Sequence, residues 1–428
     1  MPFLMHLSDP GLHPKRPFHW LHRLAGLTLL LLAAGCAPLP PAAPAPVATA
    51  RTPVILVSID GLRPDYLSRG LTPRLSQLAA NGVRAEAMMP SFPTKTFPNH
   101  YTLVTGLRPD HHGVVDNTME DPRIPGERFS LGNAAAVTDR RWWDEAEPVW
   151  VTAEKHHIPT ATMFWPGSEA AIHGVRPTRS ATFDGKLSAN ARTDTLLGWL
   201  GDSNAQGFGF LTLYFDDVDH AGHEQGPDSP LLNEALAQVD QAVGRLLDGL
   251  AARKLTANIV IVSDHGMAPV SPSRVIRIDQ MAPAGSYRVV SSGTFAGLEP
   301  AAGQAAVLEN ALLQPRDHVQ CWRKAEIPAR FAFGKNARVP TYFCLAEPGW
   351  ILATNEKSAQ RVKGGAHGYD HQAPDMRATF IAAGPAFKNG VVLPPFDNVD
   401  VYPLLMQLVG VTPLPSDGRL APLMPALR

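Results

Sequence analysis

VILVSI, residues Val54–Ile59, is a continuous apolar run dominated by β-branched side chains, and it stops at Asp60-Gly61. A run that is apolar at every position, not at alternate ones, suits a strand buried on both faces, as parallel sheets require. A carboxylate at the C-terminal end of such a strand is where α/β folds place functional groups. The pattern recurs in Thr160–Trp165 (TATMFW), Phe208–Phe215 (FGFLTLYF) and Asn258–Ser263 (NIVIVS). The last two run into Asp216-Asp217-Val218-Asp219 and Asp264-His265-Gly266. Ala378–Ala382 (ATFIA) is expected to be the last strand. Helical patterns lie between these runs. One starts at Thr72-Pro73 and stops at Gly82, one covers Pro148–His157, and Asn398–Gly410 closes the chain. Ser229-Pro230 opens a long helix whose Leu232, Leu236, Val239, Val243, Leu246 and Leu250 form a core stripe. Strands alternating with helices predict a doubly wound α/β domain. Residues 270–360 show no clean period and are expected to form an inserted or capping lobe.

The chain has 428 residues, 38 Lys plus Arg and 39 Asp plus Glu, for a net charge of −1. That balance gives no general attraction to nucleic-acid polymers or acidic membranes. Lys15, Arg16 and Arg23 precede the apolar segment Leu24–Ala34, which is too short to span a bilayer, and Ala33-Ala34-Gly35-Cys36 follows. Residues 1–36 are therefore expected to be an export signal that resembles a bacterial lipobox, with Cys36 lipidated. Ala37 matches lipoproteins sent to an outer membrane, whereas Ala33 departs from the usual Leu, so cleavage near Ala37 is the alternative. Residues 37–52 are Pro/Ala-rich and read as an extended tether, leaving 53–428 as the folded domain. The expected location is the periplasm or, through a lipid on Cys36, the outer membrane. Cys321 and Cys344 are expected to bridge in that oxidising setting, with two reduced buried thiols as the alternative.

The segment Pro90–Gly106 (PSFPTKTFPNHYTLVTG) sets Thr96 ahead of Phe97-Pro98-Asn99-His100-Tyr101. Pro98 suits a first helical position and Gly106 a helix end. Thr96 then lies at or just before a helix N-terminus, where backbone N–H groups and the dipole favour an anion. Alone, such a threonine is more simply an N-cap. The rest of the chain supplies the missing context, because Asp60, Asp219 with His223, Asp264 with His265, and His367 end separate elements. Mixed His and carboxylate donors suit Zn²⁺ and related ions. Six ligands divide into two open sites of three, which is a catalytic arrangement and not a structural one.

Seven motifs carry a family resemblance. They are Asp60-Gly61-Leu62-Arg63, Pro93-Thr94-Lys95-Thr96-Phe97-Pro98-Asn99-His100-Tyr101, Pro109-Asp110-His111-His112-Gly113, Phe164-Trp165-Pro166-Gly167-Ser168, Asp219-His220-Ala221-Gly222-His223, Ser263-Asp264-His265-Gly266-Met267 and His367-Gly368-Tyr369-Asp370. In this order they resemble the nucleotide pyrophosphatase/phosphodiesterase family of the alkaline phosphatase superfamily, here as an exported bacterial member. The resemblance implies an alkaline phosphatase-like α/β fold, with a mostly parallel central sheet, helices on both faces and a small capping lobe. It also implies two Zn²⁺ ions. Asp219, His223 and His367 would hold one, and Asp60, Asp264 and His265 the other, which also touches Thr96. Thr96 would be the nucleophile of a covalent intermediate, and Asn117 would bind a non-bridging phosphate oxygen. His100, His111, His112, His220 and His371 are expected to be hydrogen-bonded support.

The resemblance further implies a nucleobase packed on Phe97 and a second aromatic. Ser180 stands near the usual tyrosine position, and Phe183 is the expected substitute. The expected partner is a nucleotide or other phosphodiester small molecule, such as a dinucleoside polyphosphate, ATP or a p-nitrophenyl nucleotide. The alternatives within enzymes are a phosphomonoesterase or a lipid-headgroup phosphodiesterase. A metal-braced surface binding lipoprotein is the alternative outside them.

Overall fold

The computed structural model describes residues 51–201 and 207–428. The export signal with Cys36, and the tether up to Ala50, lie outside the described residues. No helix among the described residues is long and apolar enough to cross a membrane.

Eight strands form the central sheet. From edge to edge the order is Val391–Leu393, Val83–Ala85, Phe380–Ala383, Asn258–Val262, Val54–Ile59, Phe210–Phe215, Thr160–Met163 and Arg179–Ala181. Only Phe380–Ala383 runs antiparallel to its neighbours. Val54–Ile59 is central and wholly buried, and its two faces serve two cores. Ile55, Val57 and Ile59 pack on a cluster with Leu75, Leu196, Leu236 and Val243, from the helices Pro73–Asn81, Ala189–Gly201 and Pro230–Ala252. Val54 and Leu56 join a cluster with Tyr101, Leu103, Leu404 and Leu405, from the helices Thr96–Thr105 and Val401–Val409. Helices thus cover both faces, as a parallel sheet requires.

Three predicted features change. The Thr96 helix starts two residues early, at Thr96 with Lys95 as cap, so Pro98 stands third in the first turn. Its missing N–H costs nothing there, because the first four N–H groups of a helix have no helical partner. Residues 270–360 contain a regular four-stranded antiparallel sheet, in the order Tyr287–Ser291, Phe295–Pro300, Tyr342–Ala346, Val319–Arg323. Leu298, Leu308, Leu312 and Tyr342 give this lobe its own apolar cluster. Cys321 and Cys344 face each other across its last strand pair and are disulfide-bonded. Finally, Phe380–Ala383 is not the last strand, since the short pieces Val391–Leu393 and Phe396–Asp397 follow.

The lobe is fastened to the segment after the Thr96 helix. Asp110 accepts backbone N–H bonds from Gly334, Lys335 and Asn336 at 3.0, 2.8 and 3.1 Å. Arg338, buried, donates to Asp121 (2.7 Å) and to the carbonyls of Gly113, Trp142 and Arg141 (2.7, 2.7 and 2.9 Å). Replacing one partner of such a buried network leaves carbonyls and a carboxylate unpaired. Arg338→Leu is expected to cost about 3 kcal/mol or more of stability, read as a shift of the urea midpoint. A change below about 0.5 kcal/mol would mean that solvent replaces the guanidinium without penalty.

Candidate active site

Three neighbouring strands in the middle of the sheet deliver the predicted acidic groups. Asp60 follows Val54–Ile59, Asp264 and His265 follow Asn258–Val262, and Phe210–Phe215 leads into the helix Asp217–Gln225. On that helix Asp219 and His223 are four residues apart and share a face. His367 follows the short strand Gly365–Ala366, and Thr96 opens its own helix.

The histidines are aimed by their far nitrogens. Nδ1 of His223 donates to the Gly365 carbonyl (2.9 Å), Nδ1 of His265 to Gly266 (2.9 Å) and Nδ1 of His367 to Thr94 (2.8 Å). A carbonyl can only accept, so each Nε2 carries the lone pair. Those three Nε2 atoms converge. His367 Nε2 is 3.0 Å from His223 Nε2 and 3.5 Å from Asp219 Oδ1. His223 Nε2 is 3.4 Å from Asp219 Oδ2. His265 Nε2 is 2.8 Å from Asp264 Oδ2, 3.4 Å from Asp60 Oδ1 and 3.4 Å from Thr96 Oγ1. The rings of His265 and His367 stack at 3.5 Å between centroids.

The carboxylates carry unpaired oxygens. Asp60 Oδ1, Asp219 Oδ1 and Asp264 Oδ2 are buried with no hydrogen-bond partner. Burial, then repulsion from Asp264 and Asp219, pushes the Asp60 carboxyl well above its ordinary range. Burial and the Asp219 charge do the same to Asp264. Burial, then the neighbouring His265 and Lys95, holds the His367 imidazole well below its usual value. Lone pairs on neutral imidazoles and unpaired carboxylate oxygens aimed at one volume fit divalent cations, for which such donors must be deprotonated.

The side chains cluster as Asp219–His265–His367 and as Asp60–His100–Asp264, each with its candidate donor atoms within 4.8 Å of one another. His265 thus stands between the two predicted groups. His100 is close to Asp264 (3.5 Å), but neither of its nitrogens is free. Nδ1 donates to the Thr96 carbonyl and Nε2 accepts from Ser58 Oγ, both at 2.8 Å. His100 therefore supports the Thr96 turn, and His265 is the histidine with a lone pair for Asp60 and Asp264. His112, at the end of the short helix Pro109–His112, ties that turn to the Thr96 helix through Thr102 (2.9 Å), and His111 pairs with Asp417 (2.8 Å). His220 is exposed at the cavity rim, and His371 packs near Phe92 and Phe331.

Asn117 stands beside the start of the Thr96 helix. Its Oδ1 accepts from the Phe97 backbone N–H at 2.9 Å, which makes Nδ2 the outward donor. Beside Thr96 opens a cavity of about 250 Å³, bounded by Asp60, Phe97, Leu131, Val137, Trp165, Glu169, Phe183 and Asp219 among others. Phe97 is backed by Phe129 and Trp143. Phe183, 46% exposed, leans on Phe164 at 5.1 Å, with the buried Arg192 guanidinium 5.7 Å from its ring. Both predicted aromatics line the same cavity, and Leu131 and Trp165 add apolar walls that sequence reasoning missed. It also missed Tyr214, whose phenol donates to Asp60 Oδ2 at 2.7 Å. A phenol next to the end of a buried strand that is otherwise aliphatic and aromatic apart from Thr212 was the available signal, as was Ser58 in VILVSI.

The type I phosphodiesterase/nucleotide pyrophosphatase family model matches residues 54–370. The chain belongs to that family. It is accordingly a metal-dependent phosphodiesterase of the nucleotide pyrophosphatase class. An uncharacterised pyrophosphatase/phosphodiesterase of Schizosaccharomyces pombe is 37% identical over 391 residues, covering 88% of this chain and 80% of the relative. The bis(5′-adenosyl)-triphosphatase of Xenopus laevis is 34% identical, covering 86% and 80%. Murine ectonucleotide pyrophosphatase/phosphodiesterase 5, solved as an inactive threonine-to-alanine variant with AMP, has a TM-score of 0.84 and 32% identity. That likeness covers 88% of this chain and all of the murine one. The fold is thus the alkaline phosphatase-like α/β fold predicted.

Proposed function

We propose that this chain hydrolyses phosphodiester and pyrophosphate bonds of nucleotides with two zinc ions and a covalent intermediate on Thr96. The observation that carries the reading is the Thr96 hydroxyl at a helix start, 3.4 Å from His265 Nε2 and beside three unpartnered carboxylate oxygens. Asp60, Asp264 and His265 would hold one ion, and Asp219, His223 and His367 the other. When bound, such ions lower the pKa of a hydroxyl and stabilise charge on a leaving oxygen.

The chain's own groups do the rest. His100 holds the Thr96 carbonyl, and the Phe97 N–H holds Asn117, so hydroxyl and amide keep a fixed relation. Thr96 Oγ gives up its proton to solvent and bonds to phosphorus while the bond from phosphorus to the leaving oxygen breaks. That oxygen departs with the electron pair and takes a proton. Water then attacks the phosphorus of the nucleotidyl-threonine and gives up a proton, and Thr96 Oγ leaves and regains its hydrogen, releasing the nucleoside monophosphate. Asn117 Nδ2 would donate to a non-bridging oxygen throughout. Phe97 and Phe183, with Leu131 and Trp165, would clasp a nucleobase through its apolar faces. AMP in the murine relative and the bis(5′-adenosyl)-triphosphatase activity named for the Xenopus relative support an adenine nucleotide. The Cys321–Cys344 disulfide supports export to an oxidising compartment, in keeping with the expected signal and lipid anchor at Cys36.

A paired rate assay on the zinc-loaded protein tests this reading. A nucleotide diester should turn over at least about 100-fold faster than its monoester, because one neutral amide, Asn117, is the donor placed for the extra oxygens. Monoester preference would make the protein a phosphatase. Turnover of neither would point to another headgroup.

A further inference from the structure

Arg63 follows Asp60 by three residues and has no part in the site described so far. Its side chain is 18% exposed, and all three guanidinium nitrogens are committed. Nε and Nη2 donate to the two oxygens of Asp65, at 2.8 and 3.2 Å. Nη1 donates to Asp375 Oδ1 (2.8 Å) and to the Met267 carbonyl (3.0 Å). Asp65 lies in the adjoining turn Pro64–Arg69, so its fork fixes the plane of the guanidinium. The other two acceptors belong to different segments. Met267 closes the turn that carries Asp264 and His265, and Asp375 lies in the loop after His367. One nitrogen thus joins the segments that follow Asp60, His265 and His367.

These segments are packed without slack. The Gly266 N–H donates to the Met376 carbonyl at 3.1 Å. A Cβ on Gly266 would come 2.1 Å from the Asp375 carbonyl oxygen and 2.9 Å from Arg63 Cγ, so the turn is pressed between them. Met267, 1% exposed, carries the tie further. Its thioether fills space that two glycines leave. A Cβ on Gly222 would come 3.0 Å from Met267 Cε, and one on Gly365 2.8 Å from its Sδ. Gly222 stands between Asp219 and His223, while Gly365 accepts the His223 Nδ1 bond and precedes His367 by two residues. Arg63 therefore holds the backbone of a side chain wedged against both elements of the other donor group. An exposed ion pair contributes little, because solvent serves either partner as well. This guanidinium instead serves a carboxylate and a main-chain carbonyl from two donor-bearing loops.

We infer that Arg63 is a positioning residue for both donor groups, holding the Asp264–His265 turn and the His367 loop at the spacing that retains zinc. It acts through Met267 and Asp375, not by contact with substrate. The inference rests on the two-zinc reading. Its test titrates metal-free wild type and Arg63→Gln with Zn²⁺ against a competing chelator of known affinity. Thermal midpoints are measured with and without metal. Partners that orient metal ligands are typically worth 10- to 100-fold in metal affinity, so Arg63→Gln should weaken zinc binding by about tenfold or more. Arg63→Lys should recover part of the loss, since an ammonium meets one acceptor but lacks the fork. The metal-free variant should melt within about 3 °C of metal-free wild type. Turnover should return to within about threefold of wild type once zinc is in excess. Zinc affinity within about twofold of wild type overturns the inference, whether or not the metal-free protein melts lower, because Arg63 then supports the fold alone. Weakened zinc binding with turnover that excess zinc does not restore overturns it too, placing Arg63 in the reacting geometry. Asp375→Asn should weaken zinc in the same direction, and the double variant should lose less than the sum, since the two share a bond. That variant carries the test if Arg63→Gln does not fold. Wild type that binds no zinc would instead sink the underlying reading.

Discussion

Thr96→Ala is expected to lower kcat by about 10⁴-fold or more while leaving AMP affinity within about threefold. The size follows from what alanine removes. Covalent catalysis needs an oxygen at that point, and no other hydroxyl among the described residues bonds to His265 Nε2. The substitution is otherwise mild. Thr96 is buried at a helix start, and its hydroxyl holds no other element, meeting only the His265 ring at 3.4 Å. The variant should therefore fold normally, with a thermal midpoint close to wild type. The base cavity walls, Phe97 and Phe183, are untouched, so product binding persists. Rapid acid quench of wild type with labelled substrate should trap the labelled nucleotidyl group on Thr96, and Thr96→Ser should keep part of the rate. An alanine variant retaining a tenth of wild-type kcat would mean that water attacks phosphorus directly, and the covalent route would be abandoned.

Removing metal should silence the enzyme without unfolding it. Exhaustive chelation is expected to reduce turnover at least about 10³-fold, with recovery on adding Zn²⁺. The reason for survival of the fold is the placement of the ligands. Asp60, Asp264 and the Asp219 helix hang from three adjacent buried strands whose packing needs no ion. The stripped protein should nonetheless melt earlier. Ions present at about 1,000 times their Kd stabilise by roughly 4 kcal/mol per site, and their loss leaves buried carboxylates facing one another. Circular dichroism separates the two effects, because a brace would lose secondary structure with the metal. Turnover that survives chelation would remove metal from the mechanism altogether.

The candidate donors were legible in the sequence because a charged residue directly after a wholly apolar strand has few structural uses. Asp60 and Asp264 stand out for that reason. Asp219 and His223 were legible as a pair, but their common helical face was not, since Asp217–Gln225 lacks an apolar stripe. Pro98 misled by its commonest habit. Proline favours the first helical position but is equally free of penalty two residues later. The lobe sheet stayed hidden because its strands are short and several are only partly buried; Val319–Arg323, for example, buries one residue of its five. Val391–Leu393 is a three-residue edge strand with an exposed centre, too brief for any periodicity to register. Tyr214 was hidden by its company, for a tyrosine among Phe210, Leu211, Leu213 and Phe215 reads as core. Its hydroxyl has meaning only once Asp60 is placed beside it.

The Asp110 and Arg338 fastenings have a consequence for how the molecule is made. Gly334 lies 224 residues beyond Asp110, and Arg338 lies 217 beyond Asp121. A chain emerging from the ribosome therefore presents Thr96 and Asn117 long before the groups that pin the intervening turn exist. The loop carrying Asn117 must wait, loosely closed, until more than half of the remaining polypeptide has appeared. Contacts of such sequence separation form late and slowly. Competence for chemistry should thus arrive in one late step, and a nascent fragment ending before Arg338 should own a complete nucleophile helix yet remain inert.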